Sequence, residues 1–327
     1  MPPPLDYGFF GPDSVARRVW LYPTAALSGF SRAVVIEQLD PFLVAAVDHT
    51  QKIYRDTPAR YNHTMAYFST VIFGDSVTAV KSSEMLVKIH AKHGVGIEPL
   101  SGLPYDANNP DSQLWILLTA WHSILYTYEL LGPGRLSEED ERRYWAECAI
   151  AAQLQTCDPE KVPRSREGIR AYFDEVRPQL CASEATQRAM AHLLEPRHIY
   201  PPLPLILRPT GWLLNKIWRA ATLSTIPQWQ RELAAQDQSR LVDALIRPIA
   251  KGVYRLLSLS DRVALALATW VAPSAGPILA PVLRHVPPQH AEVVTPAEAF
   301  ARHGVPTPAE VRAGLQAGVI PHVTIGD

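Results

Sequence analysis

Cysteine is scarce in this chain: Cys148, Cys157 and Cys181 are the only three among 327 residues, with no Cys-x-x-Cys pair. An odd, sparse count excludes a disulfide-built scaffold and a cysteine-rich zinc or iron–sulfur centre. An excess of either charge is missing too. A formal net charge of −1 gives no electrostatic basis for nucleic acid as the main partner. There is no glycine-rich phosphate loop, no Gly-x-Ser-x-Gly elbow and no His-Glu-x-x-His. No predicted helix carries the Glu-x-x-His pair that four-helix di-iron proteins need; Glu84 lies six residues before His90, off the required face. Strand-like runs, internal repeats and low-complexity tracts are missing as well. The strand-like residues 319–325 are too few to build a sheet.

The N-terminus, Met-Pro-Pro-Pro-Leu-Asp-Tyr, has neither a basic region nor an apolar core of signal-peptide type, so a cytoplasmic location is expected. One long uncharged run exists, residues 263–283, between Arg262 and Arg284. It is long enough to span a bilayer. Pro273, Gly276, Pro277 and Pro281 interrupt it, so it reads as a buried helix followed by a proline-rich turn, with no regular helix in its second half. Peripheral contact with a membrane surface stays open.

What the chain has is helix. With 47% hydrophobic and 19% charged residues it can bury a large core. The apolar pattern and its punctuation predict an all-α protein. Residues 31–51 are broken at Pro41. Thr57-Pro58 opens a helix that stops before Gly74. Asp75 caps the next, and Gly94 ends it. Residues 95–107, rich in Gly and Pro, form a loop that shapes a pocket mouth or simply connects. Asn109-Pro110 starts a helix to about 131 that is apolar nearly all round, and therefore central. Ser137 starts another, whose Arg142, Arg143 and Glu147 read as a solvated face. Further helices are predicted over 165–177, 183–195, 210–225, 227–236, 239–271, 296–303 and 308–317. The domain reading is one helical body, 1–285, and a proline-rich C-terminal extension, 286–327, that packs on the body or grips a partner.

Three positions carry chemistry. His90 follows Val80, Ser83 and Val87 on a small, apolar stripe. A neutral imidazole held there is what an axial haem ligand needs, and equally what a satisfied core histidine looks like. Arg60, His63 and Thr64 share one face of the preceding helix, although Thr64 can also bond back to the carbonyl four residues earlier. His122, inside the apolar helix, lines a haem or substrate pocket or donates to a backbone carbonyl.

At these residues the chain resembles the MpaB-type oxygenases, which include the rubber (latex-clearing) oxygenases. The resemblance runs over about residues 10–175. Its pieces are Gly11-Pro-Asp-Ser-Val15, Ser31-Arg-Ala-Val-Val-Ile-Glu-Gln-Leu-Asp-Pro41 and Asp48-His-Thr50. They continue with Arg60-Tyr-Asn-His-Thr64, Phe73-Gly-Asp75, His90, Tyr105-Asp-Ala-Asn-Asn-Pro110, Leu114-Trp115 and Tyr144-Trp-Ala-Glu147. The resemblance implies an all-helical domain with one haem b in a pocket between core helices. His90 matches the family's proximal ligand, and Arg60 and Thr64 match its Arg-x-x-x-Thr pair. His63 stands where the rubber oxygenases have a distal Lys, so it either binds iron or acts as a distal acid/base. Asp40 stands where the family often has His, and His122 where it often has an acid. Glu37 and Asp48 both lie in the region of the rubber oxygenases' catalytic Glu. The implied activity is oxidation of an apolar, isoprenoid- or lipid-like substrate by dioxygen. The alternatives are a haem- or lipophile-binding protein with little turnover and a peroxidase-like enzyme using His63 and Arg60.

Overall fold

The apolar periodicity of the chain is realised as helix after helix. The computed structural model describes residues 3–321, so the last four of residues 319–325 lie outside it. The protein is all-α, 67% helical, with one two-stranded sheet. Helix α1 (Val15–Leu21) leads through a π-turn at Ala25–Gly29 into α2 (Phe30–Glu37). Then come α3 (Pro41–Thr50), the single turn α4 (Lys52–Arg55), α5 (Thr57–Phe73) and α6 (Ser76–His93). The carboxylates of Asp40, Asp56 and Asp75 accept the backbone N–H of Leu43, Ala59 and Thr78 at 2.7, 3.2 and 3.0 Å. Each satisfies a donor that the first helical turn leaves free, and so fixes where the helix begins.

Residues 95–107 are not a plain loop. They form a hairpin, β1 (Val95–Ile97) antiparallel to β2 (Pro104–Asp106), with Gly96 opposite Tyr105. Three-residue strands are too short to show a period. The turn is held by the Glu98 carboxylate, which accepts from Leu100 N and Ser101 N, and by Gly102 at φ +70°.

Helix α7 (Pro110–Leu131) is the central rod. Leu117, Leu118, Trp121 and Ile124 are fully buried in it. The π-turn crosses it so closely that a Cβ on Gly29 would stand 2.7 Å from Thr127 Oγ1. Only glycine allows that approach, which sets α2 against α7. Helix α8 (Glu138–Ala152) follows. Its Glu147 corrects the expectation of a solvated face. The carboxylate accepts from Ala16 N at 2.6 Å, Val15 N at 3.3 Å and Ser14 Oγ at 3.1 Å. An acid from a helix 130 residues away thus caps the N-terminus of α1. Glu147→Ala should cost about 1–3 kcal/mol in urea unfolding, because three donors lose their acceptor. A midpoint equal to wild type would count against this role.

The second half comprises α9 (Arg166–Val176), α10 (Glu184–Leu193), α11 (Arg208–Leu223) and α12 (Gln228–Leu233). It continues with α13 (Arg240–Leu257), α14 (Asp261–Val271) and α15 (Gly276–Leu283). The predicted helix 239–271 is therefore two, because Ser260 caps a new start by accepting from Val263 N at 3.4 Å. The second half of the uncharged run is also helical, against expectation. Pro277 sits in the first turn, so only Pro281 removes a bond, and burial of Leu279, Ala280 and Leu283 offsets that loss. Among the described residues no single helix is long and apolar enough to cross a membrane.

The tail closes on the start of the chain. Tyr7 N donates to Glu292 O and Val294 N to Gly8 O, both at 3.0 Å. Helices α16 (Pro296–His303) and α17 (Pro308–Gln316) each begin with a capping box, Thr295/Glu298 and Thr307/Glu310. Val311 and Leu315 pack on Val87. The outer side of α6 is therefore covered, and the helix that carries His90 is fixed from behind.

Candidate functional site

The site is built on α5 and α6, which are joined by Gly74 and Asp75 and pack on one another. His90 sits one turn before the end of α6, where Gly94 N accepts the closing role by donating to His90 O at 2.7 Å. Helix α6 is pinned along its length. Ser83 Oγ donates to Leu154 O at 2.7 Å, and Asn108 Nδ2 to Val87 O at 2.8 Å.

The His90 imidazole is set deep in the protein but keeps part of its surface accessible. Burial pushes its pKa down to about 4, and the positive charge of Arg60 pushes the same way; Asn108 and Asp106 pull it weakly back. At neutral pH the ring is uncharged and one nitrogen keeps its lone pair. Nδ1 lies 3.4 Å from Gln113 Nε2, which is long for a hydrogen bond. The Asn108 Oδ1 acceptor is buried and has no partner of its own.

Arg60 is likewise deep yet exposed. Burial lowers its pKa, and the charge of Glu37 raises it. Both side chains have much protein around them and still keep accessible surface. Glu37, the last residue of α2, is the third member. Burial pushes its carboxyl up to about 8, against the pull of Arg60. Trp115 Nε1 reaches the Glu37 carbonyl at 3.4 Å and ties the end of α2 to α7. Among the described residues no salt bridge joins Glu37 to Arg60, and their charges act on each other at longer range. Asp48, the other acid of that region, sits 3.5 Å from Arg188 at the surface.

The remaining sequence-predicted residues separate. Thr64 is half-buried, and its Oγ1 donates to Arg60 O at 3.0 Å. Its one hydroxyl hydrogen is therefore committed, and it can act toward a ligand only as an acceptor. His63 is exposed on the same helix, with no side-chain hydrogen bond among the described residues. His122 falls in another cluster. It is nine residues beyond Gln113 on α7, about half a turn round the helix. Its Nδ1 lies 3.4 Å from Arg32 Nη1, and its ring packs 5.0 Å from Phe173. Burial pushes its pKa well down, with Arg32 and Arg166 adding to the effect.

Sequence reasoning missed Arg32, Gln113 and Asn108. Arg32 is buried without a carboxylate partner among the described residues; Nη1 donates to Ser123 Oγ at 2.6 Å and Nε to Thr225 O at 3.1 Å, with the Tyr126 ring 5.0 Å away. Burial lowers its pKa to about 10. An arginine within an apolar helical run was the available signal for it. Asn108 stood in the family-like run Tyr105–Pro110 with no role assigned to it, and Gln113 carried no signal. Among the described residues no group of three or more His, Cys, Asp or Glu side chains gathers to hold a metal ion.

The protein is all-helical, and an uncharged histidine, an arginine and a proton-holding carboxyl from α6, α5 and α2 act on one another's charge. Residues 17–255 match the family described as ER-bound oxygenase mpaB/B′/rubber oxygenase, catalytic domain, and the chain belongs to that family. No curated protein and no solved structure matches the chain.

Proposed function

We propose that this protein is a haem b-dependent oxygenase that acts with dioxygen on an apolar, isoprenoid- or lipid-like substrate, and that His90 would hold the haem iron. The observation that carries the reading is the neutral His90 imidazole, partly accessible and within reach of the Arg60 charge. The residues fit haem on the chemistry of the donor set. A bare metal ion needs several protein ligands, whereas haem iron needs one neutral imidazole from the protein. Arg60 supplies a cation that no salt bridge among the described residues neutralises, and it would suit a haem propionate.

Haem, when bound, supplies the activation of dioxygen. The chain's own residues then hold, orient and move protons. His90 offers its free ring nitrogen, and Asn108 Oδ1 is an acceptor for the ring N–H, which would set the tautomer. Thr64 Oγ1, whose hydrogen goes to Arg60 O, would serve a ligand as an acceptor. Glu37, rather than Asp48, is the candidate acid/base, because burial raises its carboxyl to about 8 within reach of the Arg60 charge, whereas Asp48 pairs with Arg188 at the surface. His63 is the candidate distal residue, and His122 with Arg32 belongs to the far side of α7.

The test is reconstitution with haem b. A Soret band should travel with the protein in gel filtration, and product should form from an unsaturated isoprenoid only when dioxygen is present. Failure to retain haem overturns the cofactor. Turnover that requires peroxide reassigns the protein as peroxidase-like, and haem retention without turnover reassigns it as a binding protein.

A further inference from the structure

We propose that the face made by α13 and the start of α11 docks on an anionic lipid surface. Leu241, Leu245, Ile249 and Leu256, with Leu259 just beyond the helix, recur at steps that place them on one stripe of α13. They are between 51% and 73% exposed. A water-facing stripe of five large aliphatic side chains is unusual for a surface that only meets solvent.

The opposite side of α13 is firmly held. Ile246, Ala250 and Tyr254 pack with Leu27, Leu131 and Ala221 of the body, and Tyr254 shares a hydrogen bond of 2.5 Å with Ser28. The exposed stripe is therefore part of a rigid element. Helix α11 turns Ile217, Trp218 and Ala220 into the same core. On its other side Trp212 is 63% exposed, with Lys216 Nζ 5.9 Å from its ring, and Leu205 and Ile206 just before the helix are more exposed still.

Charge selects the occupant. Arg240, Arg247, Lys251 and Arg255 form a second stripe along one flank of the leucines. The only acid on α13, Asp243, is buried and paired with Arg231 at 3.0 Å. Lys251 and Arg255 have no carboxylate partner among the described residues. Between residues 205 and 285 ten Lys and Arg stand against four Asp and Glu, a net +6, while the whole chain is −1. An apolar stripe flanked by basic side chains, with tryptophan beside it, is the pattern of a helix lying in a lipid–water interface. A second copy of the chain fits poorly, because a two-fold contact would bring two such basic flanks together. An open cleft of about 1260 Å³ lies between α14 and α15, with Arg262, Trp270 and Arg284 among its lining residues.

The experiment uses the full chain and sedimentation with vesicles of phosphatidylcholine alone or with about one third phosphatidylserine. Binding is expected to the phosphatidylserine vesicles and to weaken with salt. Lys251→Gln with Arg255→Gln should lower the partition coefficient about 25-fold, roughly fivefold for each charge. Leu245→Ser and Leu256→Ser should each lower it about tenfold with an unchanged melting temperature, since both side chains are already exposed. No binding, or equal binding to both vesicles that ignores the charge variant, overturns the proposal. So does a dimer in sedimentation velocity that Leu245→Ser splits while vesicles bind nothing, which assigns the face to a second copy.

Discussion

Replacing His90 by alanine is expected to lower haem retention by more than about tenfold, the scale on which even outer partners of metal ligands act. The protein should still fold. The imidazole keeps accessible surface, and α6 is held by Asp75, by Ser83 and by the tail helices, none of which involve the ring. Its removal should change stability by no more than about 1 kcal/mol. Adding free imidazole should restore part of the absorption, because a small ligand can enter the space that the side chain vacates. Full haem occupancy with an unaltered spectrum in the variant would remove His90 from the site. Loss of far-ultraviolet helicity would show instead that the ring is a structural element.

The second large effect concerns Glu37→Gln. The carboxyl has a folded-state pKa of about 8 and an ordinary value of 4.5. Between these pH values the folded chain holds a proton that the unfolded chain has released. Stability contributed by this group is therefore full below about 4.5, falls as the pH rises, and is lost above about 8. Glutamine is neutral at every pH. The variant should match wild type near pH 4 and be more stable by about 2–4 kcal/mol near pH 9, after allowance for the group's remaining contact with water. If Glu37 moves a proton in the reaction, turnover should fall by about 10²-fold or more and lose its titration near pH 8. Parallel urea curves for the two proteins at all pH values would refute the buried carboxyl. The stability change without any change in turnover would leave Glu37 buried but outside the chemistry.

Much of the fold is local, and the sequence states it. Asp40, Asp56, Asp75, Ser137, Thr295 and Thr307 each begin a helix by accepting a hydrogen bond from the chain just after them. That interaction spans three residues, so it can be read from letters alone. The apolar wheel of 110–131 likewise announces a buried rod. Family membership and the all-helical class follow from features spread along the chain in a fixed order. The short hairpin at 95–106 escaped, since strands of three residues have no period to detect. The break at Ser258–Ser260 escaped because a second serine cap inside a long apolar pattern looks like one helix continuing.

The candidate site was partly legible in the same sense. His90 stands out as a polar residue on an apolar helical stripe, and Arg60 through the resemblance to the family's Arg-x-x-x-Thr pair. What no local rule provides is the environment that sets their charge. Glu37 and Asp48 are equivalent as letters. Glu37 closes a helix that Gly29 lets lie against α7, and so loses its water, while Asp48 meets Arg188 outside. Glu147 reads as a solvated acid until α1 arrives to be capped. His122 and His90 both lie on inward-facing stripes, and only the path of α7 puts them beside different arginines. Spacing along the chain determined which residues form helices, where those helices start and which faces are apolar, because these depend on neighbours within a turn or two. Tertiary structure decided which polar groups are desolvated and which charges they face, because both depend on distances through space between residues remote in the chain.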